Sequence, residues 1–309
     1  MVNEETLNLL KHLKASEGPV SGAALARRFG VSRVALWKRF EVLRAAGYPV
    51  SADRSGYRLL PSDKPLPWEF PGDEDKTYHF ETLDSTMDEA FRLGLAGRPE
   101  AAVVAERQSA GRGRADRKWE SAGGDLLVTL LLRPNLPLAY VGALGLEALA
   151  CLADTLSILY SLPLTLKWPN DLMAGNRKVA GVLVEAWGPA DRPRFFTVGL
   201  GLNVHSLPDL DRPVASVEGL GRPKADRRAI LAGWRSNLGR WAAAPVPDPS
   251  RWAALSPPGP FLTVETFDGR VYRGLPQGFD RTGSLLLAGP EQTQPIRYGE
   301  TLRSPGVAS

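Results

Sequence analysis

Three stretches of this chain concentrate residues suited to handling negative charge. Gly111-Arg112-Gly113-Arg114-Ala115-Asp116-Arg117-Lys118-Trp119 lies between two apolar runs and reads as a loop. Glycine lets a backbone approach a ligand closely. Arg112, Arg114, Arg117 and Lys118 supply cations, and a guanidinium grips phosphate oxygens in a two-pronged way. Alone, such a loop would serve equally as an RNA contact or a solvated surface. Lys167-Trp168-Pro169-Asn170-Asp171 follows, then Arg177-Lys178-Val179-Ala180-Gly181-Val182-Leu183-Val184-Glu185. Lys178 stands at the mouth of the apolar run Val179–Val184. An ammonium fixed there would offset repulsion between a carboxylate and a triphosphate. Taken singly, a strand-end lysine can as well snorkel into water.

Elements that would position these residues alternate from about Lys76. Tyr78–Leu83, Ala101–Glu106, Asp125–Arg133, Leu164–Trp168, Val179–Trp187 and Phe195–Val204 read as strands. Thr86-Met87-Asp88-Glu89 has the capping-box pattern and opens a helix to about Leu95. Tyr140–Tyr160 and Ala225–Ala243 read as helices. This is an α/β arrangement with strand direction left open. Pro245 to Pro260 holds six prolines and reads as a boundary. The short strands Phe261–Phe267, Val271–Phe279, Ser284–Ala288 and Ile296–Thr301 then predict a small β-barrel.

Ahead of this, three short helices precede a hairpin. Asn3, Ser21 and Ser32 are candidate caps. Leu7, Leu10 and Leu13 should form the apolar face of the first helix. Leu25 and Phe29 should do so in the second, and Val34, Trp37, Phe40 and Leu43 in the third. Gly30 stops the second helix and Gly47 the third. Tyr48–Ala52 and Tyr57–Leu60 flank a tight turn at Asp53–Gly56. The arrangement resembles a winged helix-turn-helix. Its third helix would present Ser32, Arg33, Ala35, Lys38 and Arg39 to a DNA groove, with Arg54 and Arg58 on the wing meeting phosphates. A packing module with solvated charges is the alternative. Residues 1–60 hold ten Lys or Arg against five Asp or Glu, whereas the rest of the chain holds 28 against 29. The basic excess is therefore confined to the segment expected to meet DNA. Pro61 to Gly72 reads as a linker.

The 309 residues suit two or three domains. No secretion signal is visible, and no run of about 18 apolar residues, so no membrane partner is expected. The lone cysteine, Cys151, precludes an internal disulfide and fits a cytoplasmic setting. Three scattered histidines and one cysteine do not make a zinc cluster.

Taken in order, Asp84-Ser85-Thr86, Gln108, Gly111–Arg114, Lys167–Asp171, Arg177–Glu185 and Gly199-Leu200-Gly201-Leu202-Asn203 resemble the biotin protein ligase family. Gly274, Gly278-Phe279-Asp280 and Gly283–Leu287 are similar to that family's terminal barrel. With the winged helix in front, the chain resembles the bifunctional branch that also represses the biotin operon. The resemblance implies an α+β fold: a winged helix-turn-helix (1–61), a mixed α/β class II synthetase-like catalytic domain (62–256) and an SH3-like barrel (257–309). It implies ATP and Mg²⁺, with biotin converted to biotinyl-5′-AMP and passed to a lysine of a biotin carboxyl carrier domain of a carboxylase. Operator DNA and an adenylate-dependent homodimer complete the implied partners.

By the same resemblance, Lys178 and Arg114 are catalytic, and Ser85, Thr86, Met87, Gln108, Arg112, Gly113, Arg114 and Lys178 contact biotin. Arg112, Arg114, Arg117, Lys118, Trp119, Lys167, Asn170 and Asn203 serve the nucleotide. No protein metal ligand is assigned, Asp171 being at most an indirect one. Two positions depart from the family pattern. Met87 stands where Asn is common, and Ala115-Asp116 replaces Arg-Gly, which should weaken loop ordering around the adenylate. Lipoate ligases share the catalytic fold, but their Arg-Arg-x-Ser-Gly-Gly-Gly loop is absent here. A biotin-sensing transcription factor with an impaired ligase is the other competing reading.

Overall fold

The computed structural model describes residues 4–302 apart from 115–116, 122, 206–212, 222–223, 258, 260, 267, 290–291 and 298–299. Contacts divide the chain into two units, Met1–Asp75 and Lys76–Ser309.

The first unit carries α1 (Glu4–Lys14), α2 (Gly22–Phe29), α3 (Arg33–Ala45), β1 (Val50–Asp53) and β2 (Gly56–Leu59). Ser21 Oγ accepts from Ala24 N and Ser32 Oγ from Ala35 N, each at 3.1 Å, so both serine caps form as expected. Gly30 closes α2 at φ +62°, a left-handed conformation that glycine adopts freely. Asn3 lies outside the described residues. Leu9, Leu10, Leu13, Leu25, Leu36, Phe40 and Leu43 form the core, and Tyr57 of the hairpin stacks on Phe40.

Two helix faces differ from the sequence reading. On α1, Leu9 is buried and Leu7 only half-buried. On α3 the buried stripe runs Leu36, Phe40, Leu43, while Val34 and Trp37 face solvent. Spacings of four and three residues describe one helical face, and Leu36 outcompetes Val34 and Trp37 for it. The stretch expected as a linker packs on this unit: Leu66 is buried, Trp68 stacks on Tyr48, and Lys14 Nζ meets Glu69 Oε1 at 2.6 Å.

The second unit holds β3 (Thr77–Phe80), α4 (Thr86–Leu95), β4 (Ala101–Ala105), β5 (Leu126–Leu132), α5 (Val141–Tyr160), β6 (Thr165–Lys167), β7 (Asp171–Ala174), β8 (Arg177–Trp187) and β9 (Phe195–Leu202). It continues with α6 (Arg227–Ala243), α7 (Pro249–Leu255), β10 (Leu262–Glu265), β11 (Val271–Phe279), β12 (Leu285–Ala288), β13 (Thr293–Ile296) and β14 (Glu300–Leu302). Seven strands form one sheet in the order β3-β4-β5-β9-β8-β7-β6. Among the described residues, β3 and β4 are its one parallel pair of strands. β7 pairs with β8 as a hairpin that the sequence reading did not separate.

α5 and α6 cover one face. A Cβ on Gly145 of α5 would touch Val184 of β8, and Trp234 Nε1 of α6 donates to the Ala148 carbonyl at 2.9 Å. With its preceding turn, α5 is long and apolar enough to cross a membrane by length and composition alone, but two thirds of that stretch is buried inside this unit, as in a core helix. Its Glu147 is buried and accepts from Trp252 Nε1 at 3.0 Å, while Arg251 pairs with Glu147 and with Asp154. This anchors α7, a helix in the proline-rich stretch expected to be only a boundary. Asp248 starts it by accepting from Ser250 N and Arg251 N, and a proline in the first turn costs no helical hydrogen bond. Burial, with Glu147 beside it, pushes the Cys151 thiol up to about 12, leaving it unreactive at neutral pH.

The last strands form a five-stranded antiparallel sheet, β13-β12-β11-β10-β14. The strand expected over Ile296–Thr301 is instead the end of β13 and the start of β14. Trp168 Nε1 donates to the Gly283 carbonyl at 3.1 Å and Ala143 N to the Thr282 carbonyl at 2.8 Å, tying this sheet's turn to the larger layer.

Glu106, at the end of β4, is buried between His79 Nε2 and Arg227 Nη1, each 2.9 Å away. Burial opposes its charge, but the hydrogen bond with His79 and the Arg227 guanidinium hold the carboxyl below its usual range. A carboxyl lowered on folding contributes stability that is complete above its unfolded pKa and is lost as pH falls through the folded value. The melting-temperature gap between wild type and Glu106→Gln should therefore be widest near neutrality and close on acidification; a gap that is flat or grows toward pH 3 would refute this role.

Candidate active site

Period-two alternation places Gly181, Leu183 and Glu185 of β8 on the sheet face opposite α5. The register pairs Gly181 with Gly201 and Leu183 with Gly199 of β9, and Asp171 of β7 with Gly181. On β8 and β9 this leaves bare backbone at Gly181, Gly199 and Gly201, edged by Asp171 of β7. Trp119 covers it: a Cβ at Gly201 would lie 2.3 Å from Trp119 Cε2, and one at Gly181 3.1 Å from Trp119 Cζ3.

Lys178 reaches this face through a bulge. Leu172 pairs with Ala180 but Met173 pairs with Lys178, so Val179 has no partner across the ladder. One extra residue re-aims the side chain that precedes it. Lys178 Nζ then sits 2.6 Å from Asp171 Oδ1 and 5.3 Å from the Trp119 ring centroid. Its backbone is held on both sides, Lys178 N donating to the Pro213 carbonyl and Ala215 N to the Lys178 carbonyl.

The loop folds back on itself. Gly113 N donates to the Arg117 carbonyl at 2.7 Å and Trp119 N to the Gly111 carbonyl at 3.0 Å. Arg112 bridges Asp88 of α4, at 2.8 Å, and Glu185 of β8. Burial works against its charge, yet Glu185 and Asp88 raise it above the ordinary arginine value. Burial lowers Arg114, with Arg117 adding repulsion while Asp171 opposes the shift. Ala115 and Asp116 lie outside the described residues.

A polar relay lines the far wall. Thr129 Oγ1 donates to Thr86 Oγ1, which donates to Gln108 Oε1; Thr86 N also donates to that oxygen at 2.7 Å. Gln108 therefore has its amide NH₂ left to offer a ligand. The capping box expected at Thr86 does not form. Ser85 occupies the cap position but makes no cap bond, and its buried hydroxyl has no hydrogen-bond partner. A buried hydroxyl left so costs the desolvation of an unmade hydrogen bond. Met87 is buried, and its Sδ would lie 2.6 Å from a Cβ on Gly199, so its thioether packs on bare backbone.

Thr86, Met87, Gln108, Arg112, Gly113, Arg114, Arg117, Lys118, Trp119, Asn170, Asp171 and Lys178 thus line one pocket, as the sequence reading grouped them. Its cavity volume is about 100 Å³, below the roughly 300–1,000 Å³ of small-molecule sites, and the Trp119 indole is part of its lining. Three expected residues stand apart from the lining. Lys167 is exposed at the end of β6. Asn203 is buried, and its Nδ2 donates to the Ala215 carbonyl at 3.1 Å, stapling the segment that holds Lys178. Ser85 is buried and is not among the lining residues. The lining residues the sequence reading missed are Gly181, Val182, Leu183, Gly199, Leu200 and Gly201. Their signal was the spacing of glycines at every second position, Gly199 and Gly201, opposite Gly181.

Fold and site together define a ligase-type α/β domain with a cationic, glycine-floored pocket, joined to a helix-turn-helix unit. Residues 80–203 match the Biotin/lipoate A/B protein ligase family and residues 5–58 an HTH domain. The chain is 34% identical over 231 residues to the bifunctional ligase/repressor BirA of Bacillus subtilis (strain 168), covering 69% of this chain and 70% of that one. It is 33% identical over 307 residues to the BirA of Escherichia coli (strain K12), covering 92% and 93%. Identity to the biotin--[acetyl-CoA-carboxylase] ligase of Paracoccus denitrificans is 33% over 236 residues, 70% of this chain and 96% of that one. The solved biotin protein ligase from Aquifex aeolicus in complex with biotin and ATP shares the fold, with a TM-score of 0.62 at 24% identity over 74% of this chain and 97% of that one. The chain belongs to the biotin protein ligase family, in its bifunctional ligase/repressor form.

Gly201→Ala tests the bare floor. The added methyl collides with the indole and occupies the plane a ligand would use. Biotin-dependent exchange of pyrophosphate into ATP should fall at least about tenfold, since small misplacements at a reacting centre cost that much or more. The melting temperature should stay close to wild type; unchanged exchange would mean that the floor is not used.

Proposed function

We propose that this protein activates biotin with ATP and transfers it to a lysine of a biotin carboxyl carrier domain, and that its first unit binds operator DNA as a biotin-responsive repressor. The observation that carries the ligase reading is Lys178, turned by a bulge onto a glycine floor beside Asp171 and below the Arg112–Arg114 loop. A biotin carboxylate oxygen attacks the α-phosphorus of ATP, the bond to the pyrophosphate oxygen breaks, and biotinyl-5′-AMP forms. Both reactants are anionic, so Lys178 and Arg114 lower the repulsion as they approach. A neutral carrier amine then attacks the activated carbonyl carbon, and the bond to AMP breaks. The Ser85 hydroxyl and the Gln108 amide suit the ureido ring, and Met87 supplies an apolar wall. Asn170, whose Nδ2 holds the Val182 carbonyl at 3.1 Å, and Trp119 border the nucleotide. Mg²⁺ would neutralise phosphate charge when bound. Asp171 is the acidic side chain of the pocket lining nearest to such a role, and the triphosphate itself would supply the other oxygens.

The carrier is expected to belong to acetyl-CoA carboxylase or a similar carboxylase, the substrate class named for the Paracoccus relative. The five-stranded terminal sheet is taken as an SH3-like barrel over 257–309, following a catalytic domain at 62–256 and a winged helix at 1–61. Occupied by adenylate, the protein is expected to pair as a homodimer on a two-part operator. A cytoplasmic setting is expected, which the lone cysteine fits.

The test mixes the full chain with biotin, Mg-ATP and an apo carrier domain, and follows the carrier's mass. Wild type should add one biotin, with Lys178→Ala slower by about a hundredfold or more, the scale of losing one electrostatic stabiliser. Equal rates would remove Lys178 from the chemistry. Transfer of lipoate but not biotin, or of neither, would overturn the ligase reading.

A further inference from the structure

The exposed face of α3 is not simply basic. Val34 is 64% exposed and Trp37 52%, although α3 buries Leu36 and Phe40 in the same turns. Arg33 and Trp37 are four residues apart, as are Val34 and Lys38, so these four side chains form one patch on the first turns of the helix. Neither Val nor Trp is a strong helix former, and neither fills the core, so local structure does not account for them. On the wing, Arg54 and Arg58 are also exposed. Arg39, expected in this set, pairs with Glu5 and keeps a side chain only 12% exposed, so it contributes little to the patch.

An apolar centre between cations fits a polyanion that also displays an apolar group at the depth a helix reaches. In the major groove of duplex DNA the apolar group on a base edge is the thymine C5-methyl. We propose that Val34 and Trp37 read thymine methyls directly, and that Arg33, Lys38, Arg54 and Arg58 set affinity through phosphates. This rests on the DNA-binding reading of the first unit and adds to it the class of base that is read and the residues that read it.

The full chain, with biotin and Mg-ATP, is used to select duplexes from a random library. In the enriched site each thymine is then replaced singly by deoxyuridine, which removes only the methyl. At one or more positions, wild type should bind the deoxyuridine duplex about fourfold or more weakly, the loss expected for one buried methyl. That penalty should vanish in Val34→Ala or Trp37→Ala. Arg33→Ala and Lys38→Ala should keep it and show a shallower dependence of binding on salt. Both apolar residues are exposed, so melting temperature and carrier biotinylation should be unchanged in their variants.

Equal binding to thymine and deoxyuridine duplexes, or penalties that survive in both apolar variants, would overturn this inference and leave DNA binding standing. Failure to enrich any duplex would overturn the DNA-binding reading itself. Loss of a dimer in Trp37→Ala, seen by sedimentation and without any methyl effect, would make the patch a protein interface instead.

Discussion

The register of β8 against its two neighbours is the constraint on which the site depends. Asp171, Gly181 and Gly201 face one another across β7, β8 and β9. Because side chains alternate along a strand, a slip of one residue would put Val182 and Leu200 where the bare backbone now lies. The floor would close and Trp119 would lose its seat. The hydrophobic pattern resists such a slip, since Val182 and Leu200 are buried on the α5 side. Packing on the far face thus enforces the shape of the ligand face.

The bulge at Val179 works within that register. It bends the start of β8 enough to bring an ammonium to the ligand side without disturbing the apolar run that follows. Its surroundings hold it there: Pro213 and Ala215 bond the Lys178 backbone, and the buried Asn203 amide holds Ala215 in turn. Asn203 acts here by positioning the chain that carries the lysine. A similar division holds on the opposite wall. Glu106, buried between His79 and Arg227, ends β4 two residues before Gln108, whose amide closes the relay from Thr129 through Thr86.

Several side chains accept a local cost. Ser85 stands at a helix cap and leaves the cap unmade, with its hydroxyl buried and unbonded. Val34 and Trp37 stay in water while their neighbours on α3 pack. In each case a residue gives up a favourable local arrangement, and each is proposed to meet a ligand, as expected where local preference and function compete.

Much of this was legible from the chain alone. Serine caps at Ser21 and Ser32, the stop at Gly30 and the basic excess before residue 60 are local signals, read from a few adjacent residues. The clustered Arg112, Arg114, Lys178 and Asn170 were legible through the order of their motifs. Periodicity could not choose between Leu36 and Trp37 as the core side of α3, because helical stripes that differ by one residue overlap and only the neighbouring helices decide which is buried. Nor could it show α7, whose prolines mask a helix anchored by Glu147 from a distant part of the chain. The bulge, the pairing of Gly181 with Gly201 and the approach of Asp171 to Lys178 all arise from strand register. Register is a relation between segments, so the residue types were present in the sequence, and only tertiary pairing decided which of them would meet.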